Sequence, residues 1–372
     1  MKNKGDMHER NKGAMMGADA KPRTPLAGPD VWLGTEMEKR TDWIHVLTPR
    51  EIADLQRAIR AVRDAQADMY AVTAENFPLP VLSRRFASIS DALEHGCGVA
   101  NIRGIPTDAF SMEDLRWVLW GIGIHLGTAV SQNKMGEFFA EVRDYGEQLG
   151  RPDSRGYRTA SSLRFHTDRC DVVALLCARQ CKEGGDSRIV STPAIHNEML
   201  KRRPDLLEEL FGTYYHSRQN EQTPAELPYY LNPVFGVHKG RFTSQYSRSY
   251  VESAQNFIGT PRLRPEQDDA LDMLAALADE LCLQTRMEPG DIQLLNNHVT
   301  YHSRTSIVDF DAPERKRLVY RLWLSMPNSR ELPASYAELW GPTAAGAVRG
   351  GVTPVSGLRT LEQWRSASGA RA

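Results

Sequence analysis

Glu314-Arg315-Lys316-Arg317-Leu318-Val319-Tyr320-Arg321-Leu322-Trp323-Leu324 is the stretch on which the reading of the fold turns. Successive side chains of a strand point to opposite faces. Leu318, Tyr320, Leu322 and Leu324 therefore share one face, an ordinary core face. Arg317, Val319, Arg321 and Trp323 share the other. Two guanidinium groups interleaved with Val and Trp are odd on a solvent face and suited to a cavity that holds carboxylates, which Arg recognises with two parallel hydrogen bonds. A solvated edge strand with surface Arg is the competing reading.

Working outward, Asp171 to Cys177 (DVVALLC) is a short, Val-rich apolar run with strand character, and Ile292 to Leu295 reads the same way. Helices are announced by their caps. Thr48 precedes Pro49 and Glu51 in a capping-box arrangement, followed by Ile52, Leu55, Ile59 and Val62 at helical spacing. Ser111 opens a second helix carrying Leu115, Val118, Leu119 and Ile122. A third follows Pro265, with Leu271, Leu274, Leu277 and Leu281 as its buried stripe, and Pro193 opens another that Pro204 interrupts or restarts. The expectation is a mainly β chain with flanking α-helices. It comprises a tail at 1–25 without periodicity, a single domain over 26–340 and a loop-like C-terminal extension over 341–372.

Composition narrows the partners. The 372 residues carry 46 Lys and Arg against 47 Asp and Glu, a formal net charge of −1. Binding driven by phosphate neutralisation needs a basic surplus, so nucleic acid is disfavoured. No apolar run approaches the ~18 residues of a membrane span, and the N-terminus lacks the apolar segment of a secretory signal. Five cysteines are too few for a disulfide scaffold, so reduced thiols in the cytoplasm are expected. Cys170, Cys177 and Cys181 read as core thiols. A homo-oligomer is compatible with all of this.

Of the ten histidines, His45, His95, His125, His196, His216 and His238 show no carboxylate or thiolate at ligand spacing and read as structural. Phe165-His166-Thr167-Asp168 differs, because residues two apart on a strand face the same side and the imidazole and carboxylate can converge. Asn296-Asn297-His298-Val299-Thr300-Tyr301-His302 supplies a second imidazole. Two His and one carboxylate on one face of an octahedral metal leave positions open for reactants, as in non-haem Fe(II) oxygenases. His298 and His302, four apart, form a rival pair for zinc. Val299 stands where a His-Glu-x-x-His motif has its Glu.

The order His166-x-Asp168, Gly184-Gly185-Asp186-Ser187, Gly290-Asp291, Asn296-Asn297, His302, Arg317 and Arg321 resembles the taurine dioxygenase (TauD/TfdA-like) family over roughly residues 95–335. The resemblance implies a double-stranded β-helix (jelly-roll) core, Fe(II), and 2-oxoglutarate and O2 as cosubstrates. It places His166, Asp168 and His302 on the iron ligands and Arg317 on the partner of the distal 2-oxoglutarate carboxylate. Ser187 stands where the family commonly has Thr, whose hydroxyl meets the same carboxylate. Arg321 falls where several members bind an acidic group of the substrate, and Gln132 and Asn133 are candidates to line that pocket. The implied activity is oxidation of an unactivated C–H bond of a small anionic or amino-acid-like molecule, by hydroxylation, desaturation or cyclisation. The rival readings are a zinc-dependent hydrolase using His298 and His302, and a non-enzymatic jelly-roll module that binds a small ligand.

Overall fold

A computed structural model describes residues 24–147 and 156–369. The expected tail lies outside the described residues except for its last two positions. Leu318–Ser325 is a strand, and every residue in it is buried. It is interior to its sheet, pairing with Val172–Arg179 on one side and with Phe139–Val142 and Thr128–Ala129 on the other. The edge-strand reading is thereby excluded. The same sheet continues through Ile292–Asn296 and Val99–Arg103 to Ile44–Val46.

The two faces of 318–325 separate as their alternation requires. Leu318, Tyr320, Leu322 and Leu324 join the large core beneath the helix Met112–Leu126, which supplies Leu115, Val118, Leu119 and Ile122. That helix lies close to the sheet at Gly123, where a Cβ would stand 2.3 Å from a Leu322 methyl. Trp323 on the other face packs with Val99, Val173 and Leu295 of its own sheet and with Ile189 and Leu283 of a second one. This second sheet is antiparallel, in the order Leu283–Thr285, Ser187–Ser191, Thr300–Arg304, Leu163–His166. The two sheets face each other as an open jelly-roll sandwich.

Helices flank this frame where the caps announced them. Thr48 accepts from the Glu51 N–H and opens Pro49–Asp64. Ser111 does the same for its helix through Asp114. Pro204 restarts a helix after Thr192–Arg202, and Pro265–Leu281 buries Leu271, Leu274, Leu277 and Leu281.

The segment after Gly341 is less detached than expected. Arg349 is fully buried, and its Nε donates to Asp171 Oδ1 at 2.8 Å while Nη2 donates to the Arg330 carbonyl at 2.7 Å. Asp171 also bonds His298 Nε2 at 2.8 Å and accepts from the Met326 N–H at 2.9 Å. Beyond it, Leu361–Ala367 is a helix whose Leu361 belongs to the large core. A sequence stretch rich in Gly and Pro hides this, because one buried ion pair, rather than periodicity, holds it in place.

Burial raises the Asp171 pKa, but His298 and Arg349 outweigh it and bring it to about 2. The carboxylate thus contributes stability above its unfolded pKa of about 4, and that contribution is lost as pH falls toward 2. Removing one member of a buried pair costs about 3–5 kcal/mol. Arg349→Met is expected to lower unfolding free energy in urea by that order and to move acid unfolding to higher pH. An unchanged urea midpoint would show that the pair is not what anchors the segment.

Candidate active site

His166 ends its strand and stands directly opposite His302 in the register with Thr300–Arg304. Directly opposed residues on one face bring their side chains together, and the two imidazole centres are 4.4 Å apart. Asp168 lies two residues beyond, its Oδ2 3.8 Å from His302 Nε2. One ligand atom from each of His166, Asp168 and His302 falls within 4.8 Å of the others, the only such metal-sized cluster among the described residues.

The loop carrying Asp168 is pinned from both sides. The Thr167 N–H donates to the Tyr246 carbonyl at 2.9 Å. The Asp168 N–H donates to Asn297 Oδ1 at 2.9 Å, and Asn297 Nδ2 donates to the Cys170 carbonyl at 3.0 Å. Asn297 was visible in the sequence as part of a motif, but nothing there assigned it this role.

The donor set fits a divalent cation. His166 Nδ1 is engaged with the Arg164 carbonyl at 2.9 Å, leaving Nε2 for a metal. Asp168 Oδ2 and His302 Nδ1 are buried without a hydrogen-bond partner among the described residues. Burial, then the neighbouring His166, push the His302 pKa down to about 3 against the opposing pull of Asp168, so its ring is neutral as a ligand must be. Burial raises the Asp168 pKa, yet Arg321, His302 and His166 together hold it below the usual carboxylate value.

Arg321 reaches this cluster. Its Nη1 is 3.3 Å from Asp168 Oδ1 and its Nε donates to Gln132 Oε1 at 2.7 Å, while Tyr157 and Trp323 cover the guanidinium at 4.7 and 5.0 Å. The Gln132 amide spends its donors on the Phe138 and Arg321 carbonyls. Asn133 bonds within its own turn, to Glu137 and the Met135 N–H. Both amides are thus committed to the protein, Gln132 as the support of Arg321.

Arg317 is buried, with Nη1 3.4 Å from the Val142 carbonyl, no ion pair among the described residues and an unpartnered Nε. A Cβ on Gly185, whose φ is +69°, would come within 3.2 Å of that Nε, so the glycine keeps the cradle open. Arg304 is a second buried cation nearby. Its Nη2 donates to the Thr159 carbonyl at 2.9 Å, its Nη1 is unpartnered, and burial together with Arg317 lowers its pKa to about 10. The sequence reading passed over Arg304, although it shares a strand face with His302. Ser187 lies opposite Arg304 in register and donates to Gln293 Oε1 at 2.7 Å.

His298 does not join the metal-sized cluster. It lies in the turn between two strands, with no helical i, i+4 geometry, and bonds Asp171 and Thr243. The zinc-pair alternative has no structural basis. Two of the histidines read as structural meet carboxylates: His95 bonds Asp91 at 3.0 Å across one helical turn, and His238 bonds Glu331 at 3.0 Å. Neither adds a third ligand.

A family model, "Taurine catabolism dioxygenase TauD, TfdA family", matches residues 59–323. The chain belongs to this family. It is an Fe(II)- and 2-oxoglutarate-dependent non-haem iron oxygenase. It is 33% identical over 334 residues to FR-33289 synthase of Streptomyces rubellomurinus, covering 87% of this chain and 97% of that one. It is 25% identical over 289 residues to the taurine hydroxylase-like protein SAT17 of Stachybotrys chartarum, covering 73% and 72%. Among solved structures, asparagine oxygenase with Fe(II), 3-hydroxyasparagine and succinate superposes with a TM-score of 0.60 at 17% identity, over 82% of this chain and 100% of that one. The non-haem iron oxygenase OrfP with Fe and α-ketoglutaric acid gives 0.58 at 15%, over 82% and 99%. No helix among the described residues is long and apolar enough to cross a membrane.

The two histidine pairs separate experimentally. Anaerobic Fe(II) with 2-oxoglutarate should produce a weak visible charge-transfer band in the wild-type protein. His302→Ala should abolish it, whereas His298→Ala should retain it at the cost of thermal stability. Equal loss in both variants would overturn the ligand assignment.

Proposed function

We propose that His166, Asp168 and His302 hold the Fe(II) of this oxygenase, that Arg317 and Ser187 hold the far carboxylate of 2-oxoglutarate, and that the substrate is a small acidic, amino-acid-like molecule oxidised at an unactivated C–H bond. The observation that carries the reading is the buried Arg317 guanidinium without an anionic partner, on the same strand face as the Arg321 that touches Asp168. A buried cation is costly unless an anion joins it. Bound by these three residues, the iron would supply the oxidising chemistry together with 2-oxoglutarate and O2.

The chain's own residues bind and orient. Arg317 offers its free Nε edge to a carboxylate, Arg304 adds positive potential beside it, and Ser187 can turn its hydroxyl from Gln293 toward the same oxygens. Arg321 braces Asp168 through Nη1 and keeps Nη2 for an acidic group of the substrate. Tyr157 and Trp323 exclude water from that guanidinium, which strengthens any charge pair formed there. The amino acids in complex with asparagine oxygenase and OrfP, hydroxyasparagine and hydroxy-L-Arg, support an amino-acid-like substrate. Five free cysteines support a reducing, cytoplasmic setting.

Arg317→Leu deletes the partner of a desolvated carboxylate, a loss of about 2–5 kcal/mol. Its 2-oxoglutarate affinity should fall by roughly a hundredfold or more while Fe(II) affinity stays nearly constant. Normal cosubstrate binding would refute the assignment. Arg321→Gln keeps a donor for Asp168 but removes the charge. Substrate KM should rise by about tenfold or more, with uncoupled conversion of 2-oxoglutarate to succinate persisting. An unchanged KM would show that Arg321 serves Asp168 alone.

A further inference from the structure

Gln293 is buried between the two sheets, and neither the iron nor the 2-oxoglutarate assignment uses it. On the strand Ile292–Asn296, Ile292 and Leu294 join the large core, and Leu295 joins the packing between the sheets. Alternation puts Gln293, two residues before Leu295, on that inner face as well. It stands opposite Leu175 in register, and Leu175 stands opposite Arg321. Gln293 and Arg321 therefore share one row across the sheet. From that row the amide reaches the facing sheet, where the Ser187 hydroxyl donates to Gln293 Oε1 at 2.7 Å. Ser187 follows Gly185 by two residues, and Gly185 lies against the Nε edge of Arg317.

A primary amide in a residue only 1% exposed is costly unless its donors and acceptor are used. The Gln293 amide makes one hydrogen bond among the described residues, the one with Ser187, and its Nε2 makes none. A purely structural amide had a partner at hand. Asn101 is its neighbour on the other side in register, and Asn101 Oδ1 is buried without a hydrogen-bond partner among the described residues. Gln293 turns to Ser187 instead.

The Ser187 hydroxyl has one proton, and in this arrangement it is committed to Gln293. A carboxylate arriving beside Arg317 would then meet only lone pairs at Ser187. Swinging the hydroxyl proton away is not enough, because two acceptors would be left 2.7 Å apart. A half-turn of the amide about its last torsion, which is soft and two-fold, puts nitrogen where oxygen was. Nε2 then donates to Ser187 Oγ, and the serine O–H points toward the carboxylate.

We infer that Gln293 is a positioning residue for the cosubstrate, an amide that reverses on anion binding and turns Ser187 into a donor. The inference rests on the proposed function, in which Ser187 and Arg317 hold the far carboxylate. It adds a residue that acts only through the neighbouring hydroxyl.

The test titrates 2-oxoglutarate into the full chain with anaerobic Fe(II) and reads the charge-transfer band, which also reports that the site has assembled. 2-Oxobutanoate, a keto acid without the far carboxylate, is titrated in parallel. Gln293→Met keeps the length of the side chain and removes both hydrogen-bonding groups, and 2-oxoglutarate affinity should fall about three- to tenfold. Gln293→Glu can only accept when ionised, so it retains the serine proton, and affinity should fall by more than about tenfold. Binding of 2-oxobutanoate should not respond to Gln293→Met. In a Ser187→Ala background, Gln293→Met should weaken 2-oxoglutarate no further, because the amide acts through the hydroxyl. An equal loss for both keto acids, or the same loss with and without Ser187, would make Gln293 a structural residue and overturn the inference. Unchanged affinity in both Gln293 variants would overturn it too. Normal 2-oxoglutarate binding by Arg317→Leu is a separate outcome, which overturns the proposed cradle itself.

Discussion

The antiparallel register that sets His302 opposite His166 is the constraint on which the site depends. Side chains alternate with a period of two, so a slip of one residue between Leu163–His166 and Thr300–Arg304 would turn one imidazole away from the other. The register is fixed on the far side as well, because Thr300–Arg304 also pairs residue for residue with Ser187–Ser191. That second pairing carries Ser187 to Arg304 and so sets the proposed anion cradle at the same time as the proposed metal ligands. One sheet therefore supplies the two histidines, the serine and a buried arginine. The facing sheet supplies Arg321 from one strand, and Arg317 is the residue just before that strand begins.

Charge explains why these groups tolerate burial. Asp168 is stabilised by Arg321 and the two imidazoles, and it in turn offsets the cost of burying Arg321. Arg317 and Arg304 make no ion pair among the described residues, and burial lowers the basicity of both despite the opposing charge of Asp309. The sandwich thus holds one cation paired with Asp168 and two buried ones without an ion pair among the described residues. On the proposed reading, an anionic cosubstrate spanning from His166, Asp168 and His302 to Arg317 would complete that balance.

Most of this was legible where a local rule applies. The alternation in Leu318–Leu324 predicted a core face and an arginine-bearing face, and the strand is divided in that way. Thr48 and Ser111 announced their helices through side chains that cap them. The converging trio of His166, Asp168 and His302 followed from strand periodicity and motif order. What stayed hidden depends on contacts between residues far apart in sequence. Asn297 acts through the Asp168 peptide, Gln132 through Arg321, and Arg349 through Asp171, each separated by more than a hundred residues from its partner. No spacing rule finds such pairs from one sequence. Arg304 is different: its place two residues beyond His302 was readable and was passed over.

His298 shows how the same residues can suggest a metal ligand and serve another purpose. The turn at 297–299 faces the loop at 167–171 along its length. Asn297 Oδ1 accepts the Asp168 N–H, the Asn297 N–H donates to the Asp171 carbonyl at 2.9 Å, and His298 Nε2 bonds the Asp171 side chain. Consecutive residues of the turn thus hold the first and last residues of Asp168–Asp171. His302, a few residues further on, completes the metal cluster from the strand that begins there. Arg349, arriving from the C-terminal segment, adds the cation that keeps Asp171 ionised while buried. The position of a proposed metal ligand is therefore coupled, through two hydrogen-bonded residues and one carboxylate, to a segment whose sequence suggests only a loop-like extension. A buried carboxylate shared among His298, Arg349 and the Met326 peptide has little freedom to move, and the loop that ends on it keeps Asp168 where an imidazole pair can share its charge.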